Sequence, residues 1–536
     1  MAEATEVNAR PLNRQTTDNQ PEDKPKGLLN WVEKVGNKLP DPFWLFVVLA
    51  GLVALSSWIG SLIGMHSTDP SSGEVVEVEN LLTKDNIAAM VNEAVTNFTS
   101  FPPLGVIMIV MLGVAVAEQS GFLPAIVRAM VSKVGPKTLT FAVALAGVTG
   151  SVASDAIFVI LIPLGAMAFH ALGRSPIVGA VVAFAASSAG FNASLILNIT
   201  DLVLAGISTS AANIVDAKYR VSPLANVFLV IPSAIVLALI VTAVTEWYVD
   251  KKAQELITHE DIDYDEVKFS DDENESEEEA LALDSTEKKG LVWATATLGL
   301  FLVGYLVLMF WPASPLSGGT GPMASPLITH IEVPITLAFL LTGVVYGIVT
   351  RCIEKVSDIP EFMARGLKTL VPTLVLFFVA AQFLAWFDWS NLGTWTAIEG
   401  ANVLQSLNLP KPLLFICFVA IVAALNIFIT SGSAQWTLMA PVVVPMMMYV
   451  GTSPEVTQML FRIGDSPTNI ITPMSPYFAL ALTFLQRYHK KAGVGTLMSM
   501  TLPYSLSMLT GWFLFFIVWY LLGIPLGPGS PMHYPA

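Results

Sequence analysis

Thr430–Phe478 reads TSGSAQWTLMAPVVVPMMMYVGTSPEVTQMLFRIGDSPTNIITPMSPYF. It lies between apolar segments, yet it carries Ser431, Ser433, Gln435, Trp436, Arg462, Asp465, Ser466, Thr468 and Asn469. A helix facing lipid cannot hold that many polar groups cheaply. Irregular backbone at membrane depth survives only where protein or a water-filled cavity satisfies it. Gly432, Gly451, Pro441, Pro445, Pro454, Pro467, Pro473 and Pro476 break any continuous helix. The stretch therefore predicts a re-entrant hairpin at about 431–450 and then a broken helix, the way a transporter builds a midplane site.

The chain has 536 residues, 54% hydrophobic and 13% charged, with a mean hydropathy of +0.64, the composition of a polytopic membrane protein. Its net charge of −15 is local. Residues 255–287 hold 15 Asp or Glu and one Lys, which leaves 27 acids and 26 bases elsewhere. The acidity belongs to one linker, about 250–289, whose like charges predict a disordered cytoplasmic segment between two halves. No basic patch points to nucleic acid. Cys352 and Cys417 lie in or beside apolar segments, so no disulfide framework is expected. Residues 1–40 read as a cytoplasmic tail with a short amphipathic stretch at Leu28–Val35 and no cleavable signal peptide.

A second polar zone stands in the first half. Ser151-Val152-Ala153-Ser154-Asp155 precedes an apolar run to Phe169, which gives a first hairpin at about 151–170. Ser187, Ser188, Gly190, Phe191, Asn192, Ser194, Asn198 and Asp201 follow. The two zones align at an offset of 278: Phe158 with Trp436, Pro163 with Pro441, Ser175-Pro176 with Ser453-Pro454, Ser188 with Ser466. The halves 41–249 and 290–525 thus predict an inverted repeat with a site between its broken helices.

Spans are expected at Pro42–Met65, Ser222–Val249, Leu291–Trp311, Pro334–Val349, Thr369–Trp386 and Val494–Leu522, with Val106–Glu118 returning inward and Leu413–Ile429 leading into the polar stretch. Loops rich in Lys and Arg alternate with loops almost free of them. That places the N-terminus and linker inside and a tail at 526–536 outside, in a multi-pass cytoplasmic (inner) membrane protein with lipid around it. About nine crossings plus two hairpins satisfy this all-α architecture.

Asp155, Asp201, Arg462 and Asp465 are ionisable groups in apolar surroundings. A charge at the bilayer centre costs about 2.5–3.5 kcal/mol on the lenient insertion scale, so such groups face a pathway and have partners. Arg462 and Asp465 stand three apart on one helical face and could pair. The pair either locks two helices together or leaves Arg462 to clamp a substrate carboxylate through its planar guanidinium. Trp436 is either a packing residue of the hairpin or a stacking wall for a substrate ring.

Ser154, Asp155, Asn192, Ser431, Ser433, Asp465, Thr468 and Asn469 offer hard oxygen ligands of the kind Na⁺ accepts from broken helices. Each alone reads as a helix cap or an interhelical hydrogen bond. Mirrored in both halves, they favour an ion site. Asp201 and Asp465 could instead carry a proton, and the sequence leaves Na⁺ and H⁺ both open. The six His show no metal-ligand spacing, and no Gly-x-Ser-x-Gly, Walker A or zinc pattern occurs. An enzyme is not expected, nor a cofactor beyond the coupling ion.

Ser154-Asp155-Ala156, Ile162-Pro163-Leu164-Gly165, Leu204-Ala205-Gly206-Ile207 and above all Arg462-Ile463-Gly464-Asp465-Ser466-Pro467-Thr468-Asn469-Ile470-Ile471-Thr472-Pro473 resemble the AbgT family of p-aminobenzoyl-glutamate transporters. The likeness covers about residues 28–525. It implies a homodimer with nine spans and two re-entrant hairpins per subunit, similar to the divalent-anion/sodium symporters, whose core moves past a scaffold. It implies import of p-aminobenzoyl-glutamate or a related aromatic carboxylate, or export of sulfonamide antimetabolites and p-aminobenzoate driven by the proton-motive force. A channel and a dicarboxylate symporter are the more distant alternatives. Carried over residue by residue, the functional Asp of the first half falls on Asp201. Those of the second half fall on Ser433, Trp436, Pro454, Arg462, Asp465 and Pro473, with Asn469 beside them. The chain departs from the family pattern at Asn192-Ala193-Ser194 and at Asp201-Leu202.

Overall fold

A computed structural model describes residues 42–69, 73–131, 134–135, 137–153, 156–256, 283–317 and 325–534. The tail at 1–40, the linker from 257 to 282, Ser154 and Asp155 lie outside them. Among the described residues the chain is helical apart from one antiparallel pair, β1 (His66–Thr68) with β2 (Val75–Glu77).

In order, the first half holds α1 (Pro42–Leu62), α2 (Lys84–Asn92), α3 (Ala94–Thr99), α4 (Pro102–Gln119) and α5 (Phe122–Val131). Next come α6 (Leu139–Thr149), α7 (Ala156–Ala171), α8 (Pro176–Ala189), α9 (Ile199–Ala212) and α10 (Val227–Val244). Helix α10 continues through a π-helical turn at Thr245–Val249 to Leu256. The second half holds α11 (Ser285–Phe310), α12 (Glu332–Thr350), α13 (Asp358–Trp389), α14 (Leu392–Ser406) and α15 (Lys411–Asn426). It closes with α16 (Gly432–Tyr449), α17 (Pro454–Asp465), α18 (Pro476–Tyr488) and α19 (Val494–Leu521). Among the described residues seven helices are long and apolar enough to cross a membrane: α1, α4, α10, α11, α12, α13 and α19.

Both halves run through the same order of pieces. Two helices meet at a tip (α6–α7, α15–α16), and two helices flank a break (α8–α9, α17–α18). Pro176 and Pro454 open matching helices 278 residues apart, each after a Ser in extended conformation. The first tip begins with a tight turn at Gly150–Ala153 and the second lies at 427–431, with α6 and α15 leading into them. The interiors of both leading helices are largely apolar.

Arg128 stands on α5 and pairs with Glu287 of α11. Arg365 and Lys368 stand on α13, where Arg365 pairs with Glu361 at 2.5 Å.

Close backbone approach sets the packing. All of α8 is buried. It crosses α7 where Gly165 faces Gly179: a Cβ on Gly179 would lie 2.2 Å from the Gly165 carbonyl oxygen. In lipid, where helices gain little from the hydrophobic effect, such small-residue crossings hold helices together by contact. Helix α4 is pressed against α12 in the same way, a Cβ on Gly113 falling 2.2 Å from the Thr336 oxygen. It is pressed against α13 at Gly366, next to Ala115. The result is a flanking block of α4, α12 and α13 set against the repeats. Helix α11 leaves most of its apolar surface open, including Leu300, Val303 and Phe310.

Candidate functional site

A cavity of about 400 Å³ lies where the two repeats meet α4 and α13. Ser151 and Thr430–Ser433 enter it from the hairpin tips, and Asn192 and Asn469 from the breaks. The first residues of α9, α16 and α18 also line it: Ile199 with Thr200, Gly432 with Ser433, Pro476 with Tyr477. The starts of α16 and α18 thus open on one space with their partial positive charge, while α9 lines it along one face, with Val203 and Leu204 beside Ile199 and Thr200. Its walls carry Phe158, Phe191, Phe461 and Tyr477, with Phe158 stacked on Tyr477 at 4.2 Å between ring centroids. Glu118 of α4 and Asp465 of α17 are its two carboxylates, and no Lys or Arg is among the described residues lining it.

Helix α17 joins the repeats. Glu455, Gln458, Arg462 and Asp465 recur at helical spacing, and each is at most 3% exposed. Every one is met from the first half. The Tyr219 hydroxyl donates to Glu455 at 2.9 Å, and Asn226 donates to the Glu455 carbonyl at 3.0 Å. Ser208 donates to Gln458 at 2.7 Å. Arg462 Nη1 donates to Asp201 Oδ1 at 2.6 Å and to the Asn192 carbonyl at 3.3 Å. Asn192 Nδ2 donates to Asp465 Oδ2 at 2.7 Å. Buried polar groups need such partners, and here the partners lie about 230 to 270 residues away.

Asp201 has a double task. It closes a capping box at the start of α9, accepting from the Asn198 amide at 2.9 Å while Asn198 accepts from the Asp201 amide at 3.1 Å. Its other oxygen holds Arg462. The expected Arg462–Asp465 pair is therefore not made: the two share a face of α17, but each reaches across to the first repeat.

Around Asp465, Asn426 Nδ2 donates to the Asp465 carbonyl at 2.6 Å, and to Thr468 Oγ1 and Asn469 Oδ1 at 2.9 Å each. Asp465 Oδ1, Asn192 Oδ1 and Asn426 Oδ1 are buried without a hydrogen-bond partner among the described residues. Gly432 lets the hairpin tip close on this carboxylate, since a Cβ there would lie 3.0 Å from Asp465 Oδ2.

Of the residues singled out in sequence, Asn192, Ser431, Ser433, Asp465 and Asn469 reach the cavity. Trp436 does not. It is fully buried behind Phe461, 4.6 Å between centroids, and its Nε1 donates to Ser208 Oγ at 3.0 Å. Phe461, not Trp436, forms the wall. Arg462 and Thr468 are buried outside the lining, the latter bonded to the carbonyls of Gly464 and Asp465. Asp201 instead borders a water-sized space of about 10 Å³ beside α10. Pro454 opens α17 eleven residues before Asp465, about 16 Å along the helix, and Pro473 sits in the break away from the lining. Ser154 and Asp155 lie outside the described residues. Sequence reasoning missed Glu118, Thr373, Phe191 and Tyr477 as lining residues. Phe158 was visible only as the repeat partner of Trp436.

Residues 27–534 match the AbgT putative transporter family. The p-aminobenzoyl-glutamate transport protein of Escherichia coli (strain K12) is 35% identical over 507 residues, 94% of this chain and 96% of that protein. The YdaH transporter of Alcanivorax borkumensis superposes with a TM-score of 0.83 at 36% identity, covering 91% of this chain and 100% of that one. MtrF of Neisseria gonorrhoeae, described with a class of antimetabolite efflux pumps, superposes with a TM-score of 0.86 at 38% identity, covering 94% and 100%.

Proposed function

The chain belongs to the AbgT family and is a polytopic membrane transporter, and from that premise we propose cation-coupled secondary transport of p-aminobenzoyl-glutamate or a related aromatic carboxylate. One observation carries the reading. The cavity between the repeats joins aromatic walls, hydroxyls and two helix N-termini to two carboxylates, with no basic side chain among its described lining.

A substrate ring would lie against the stacked Phe158–Tyr477 pair and Phe461. A substrate carboxylate is drawn to the helix starts at Gly432 and Pro476 and to the hydroxyls of Ser431 and Ser433. Arg462 supports this space from behind by fixing Asp201. An anion entering beside Glu118 and Asp465 is repelled unless a cation enters with it, which supplies a physical reason for coupling. The unpartnered oxygens of Asp465, Asn192 and Asn426 suit a hard cation, and a proton on Asp465 would meet the same need.

In this reading each broken helix pair crosses the membrane once, which with seven long helices gives nine crossings and two hairpins. The N-terminus and linker lie inside and the C-terminus outside. The repeats move as a core against α4, α12 and α13 within a homodimer. Export of sulfonamide antimetabolites is the second reading, favoured by the likeness to MtrF and by a cavity whose aromatic walls hold a neutral ligand equally well.

The test is flux of radiolabelled p-aminobenzoyl-glutamate in proteoliposomes under an imposed Na⁺ or pH gradient. Saturable uptake driven by one gradient, and lost in Asp465→Asn, is expected. Unsaturable flux indifferent to both gradients would mean a channel.

A further inference from the structure

A second cavity, of about 650 Å³, lies where the ends of α4 and α12 meet α5 and the start of α11. Its charged lining is Arg128, Asp284, Glu287, Lys289 and Arg351. Both carboxylates are engaged. Glu287 pairs with Arg128, and Asp284 accepts from the amides of Thr286 at 2.5 Å and Glu287 at 2.7 Å. Lys289 and Arg351 make no ion pair among the described residues. Arg351 holds a left-handed backbone, φ 62°, at the end of α12, a place usually left to Gly or Asn. Helices α4, α11 and α12 are long enough to span, so the cavity at their ends lies at the depth of lipid headgroups, on the side of the Lys- and Arg-rich loops.

The outer face of α11 continues from this cavity. Lys289, Trp293, Leu300, Val303 and Val307 follow at spacings of 4, 7, 3 and 4, one face of a helix. The four apolar side chains are exposed, while Gly290, Ala294 and Met309 are buried on the other side. No charged residue occurs from Gly290 to Phe310. From Lys289 to Leu300 the face runs about 16 Å, close to the depth of one leaflet, about 15 Å. A tryptophan one turn from the cation sits where such rings prefer the interface.

We propose that this face binds one anionic phospholipid of the cytoplasmic leaflet, its phosphate between Lys289 and Arg351 and an acyl chain along Trp293 and Leu300. Two cations without counter-ions at headgroup depth favour an anionic head over a zwitterionic one. The apolar strip favours a lipid over a soluble anion, which has nothing to lay along it. The site stands on the flanking helices, so it uses the membrane orientation given above and not the identity of the substrate.

Native mass spectrometry of the purified full chain gives its affinities for phosphatidylglycerol and for phosphatidylcholine with the same acyl chains. Each cation strengthens binding of an anionic lipid about fivefold, so wild type should prefer phosphatidylglycerol on the order of 20-fold. The double variant Lys289→Gln/Arg351→Gln should bring the ratio close to one. Lys288→Gln removes the same charge one position away, outside the cavity lining, and should leave the ratio unchanged. Trp293→Ala should weaken both lipids and keep the ratio. A preference that survives in the double variant, or falls equally in Lys288→Gln, overturns the site in favour of diffuse surface charge. Displacement of phosphatidylglycerol by glycerol phosphate at similar concentrations overturns it in favour of a soluble anion. A disulfide between copies at Trp293→Cys in native membranes, with Cys352 and Cys417 replaced by Ser, overturns it in favour of a second copy of the chain. Each of these outcomes leaves the transport reading standing, which the flux assay tests by itself.

Discussion

Removing either member of the Asp201–Arg462 pair should damage the protein more than removing both charges. The two groups meet at 2.6 Å with side chains 7% and 1% exposed. At an effective dielectric constant of about 20, their attraction at this separation is roughly 6 kcal/mol, much of it offset by lost hydration. Deleting one partner strands the other charge in the core, which costs about 3–5 kcal/mol. The cycle uses Arg462→Met, Asp201→Asn and the double variant. Asparagine keeps an oxygen for the Asn198 amide, so the α9 cap survives. Stability is read from detergent-titrated unfolding followed by far-UV circular dichroism. The double variant should be more stable than the sum of the single losses predicts, with a coupling of about 2 kcal/mol or more. Additive losses would refute the reasoning. So would a fully stable Arg462→Met protein that has lost substrate affinity, which would put the guanidinium on the substrate.

Three further outcomes follow from the geometry. Gly179→Val should abolish stable protein in a thermal-unfolding assay: even the first added carbon would lie 2.2 Å from the Gly165 oxygen, and overpacking already costs about 1–3 kcal/mol where side chains can yield. Trp436→Phe keeps a ring against Phe461 but loses the bond to Ser208, so it should cost about 1 kcal/mol of stability with little change in substrate affinity. At the start of α11, amide bonds from Glu287 and Thr286 hold the Asp284 carboxyl below its ordinary value. Its stabilisation is therefore present above the unfolded value and lost as pH falls through the folded one. Hydrogen exchange in the first turn of α11, corrected for intrinsic rate, should speed up on acidification in wild type, and Asp284→Ala should remove that dependence.

Much of the architecture was readable because its signals are long-range in sequence and redundant. The 278-residue offset placed matching helix starts at Pro176 and Pro454. The density of polar groups after Thr430 located the cavity. The helices that lead into the tips were not readable as such, since the interiors of α6 and α15 are largely apolar and resemble ordinary spans. Arg462 has a nearby candidate partner three residues away and a real one 261 residues away; local spacing cannot choose between them. The stripe Glu455, Gln458, Arg462 and Asp465 was a signal that α17 is buried on a polar seam. Sequence left Trp436 open between packing residue and wall because helix rotation, which puts Phe461 in front of it, is set by packing. Glu118 was missed because a charge at the end of an apolar span ordinarily marks the membrane surface.

The most direct test of the account asks whether the substrate occupies the cavity between the repeats. Cys352 and Cys417 are exposed, so both are first replaced by Ser. Ser433→Cys is then placed in that background, and its reaction with a small charged thiol reagent is timed with and without p-aminobenzoyl-glutamate. The account predicts a thiol that reacts and is protected at substrate concentrations that saturate flux. Binding and flux that persist while the thiol reacts at the same rate would place the substrate elsewhere and contradict it.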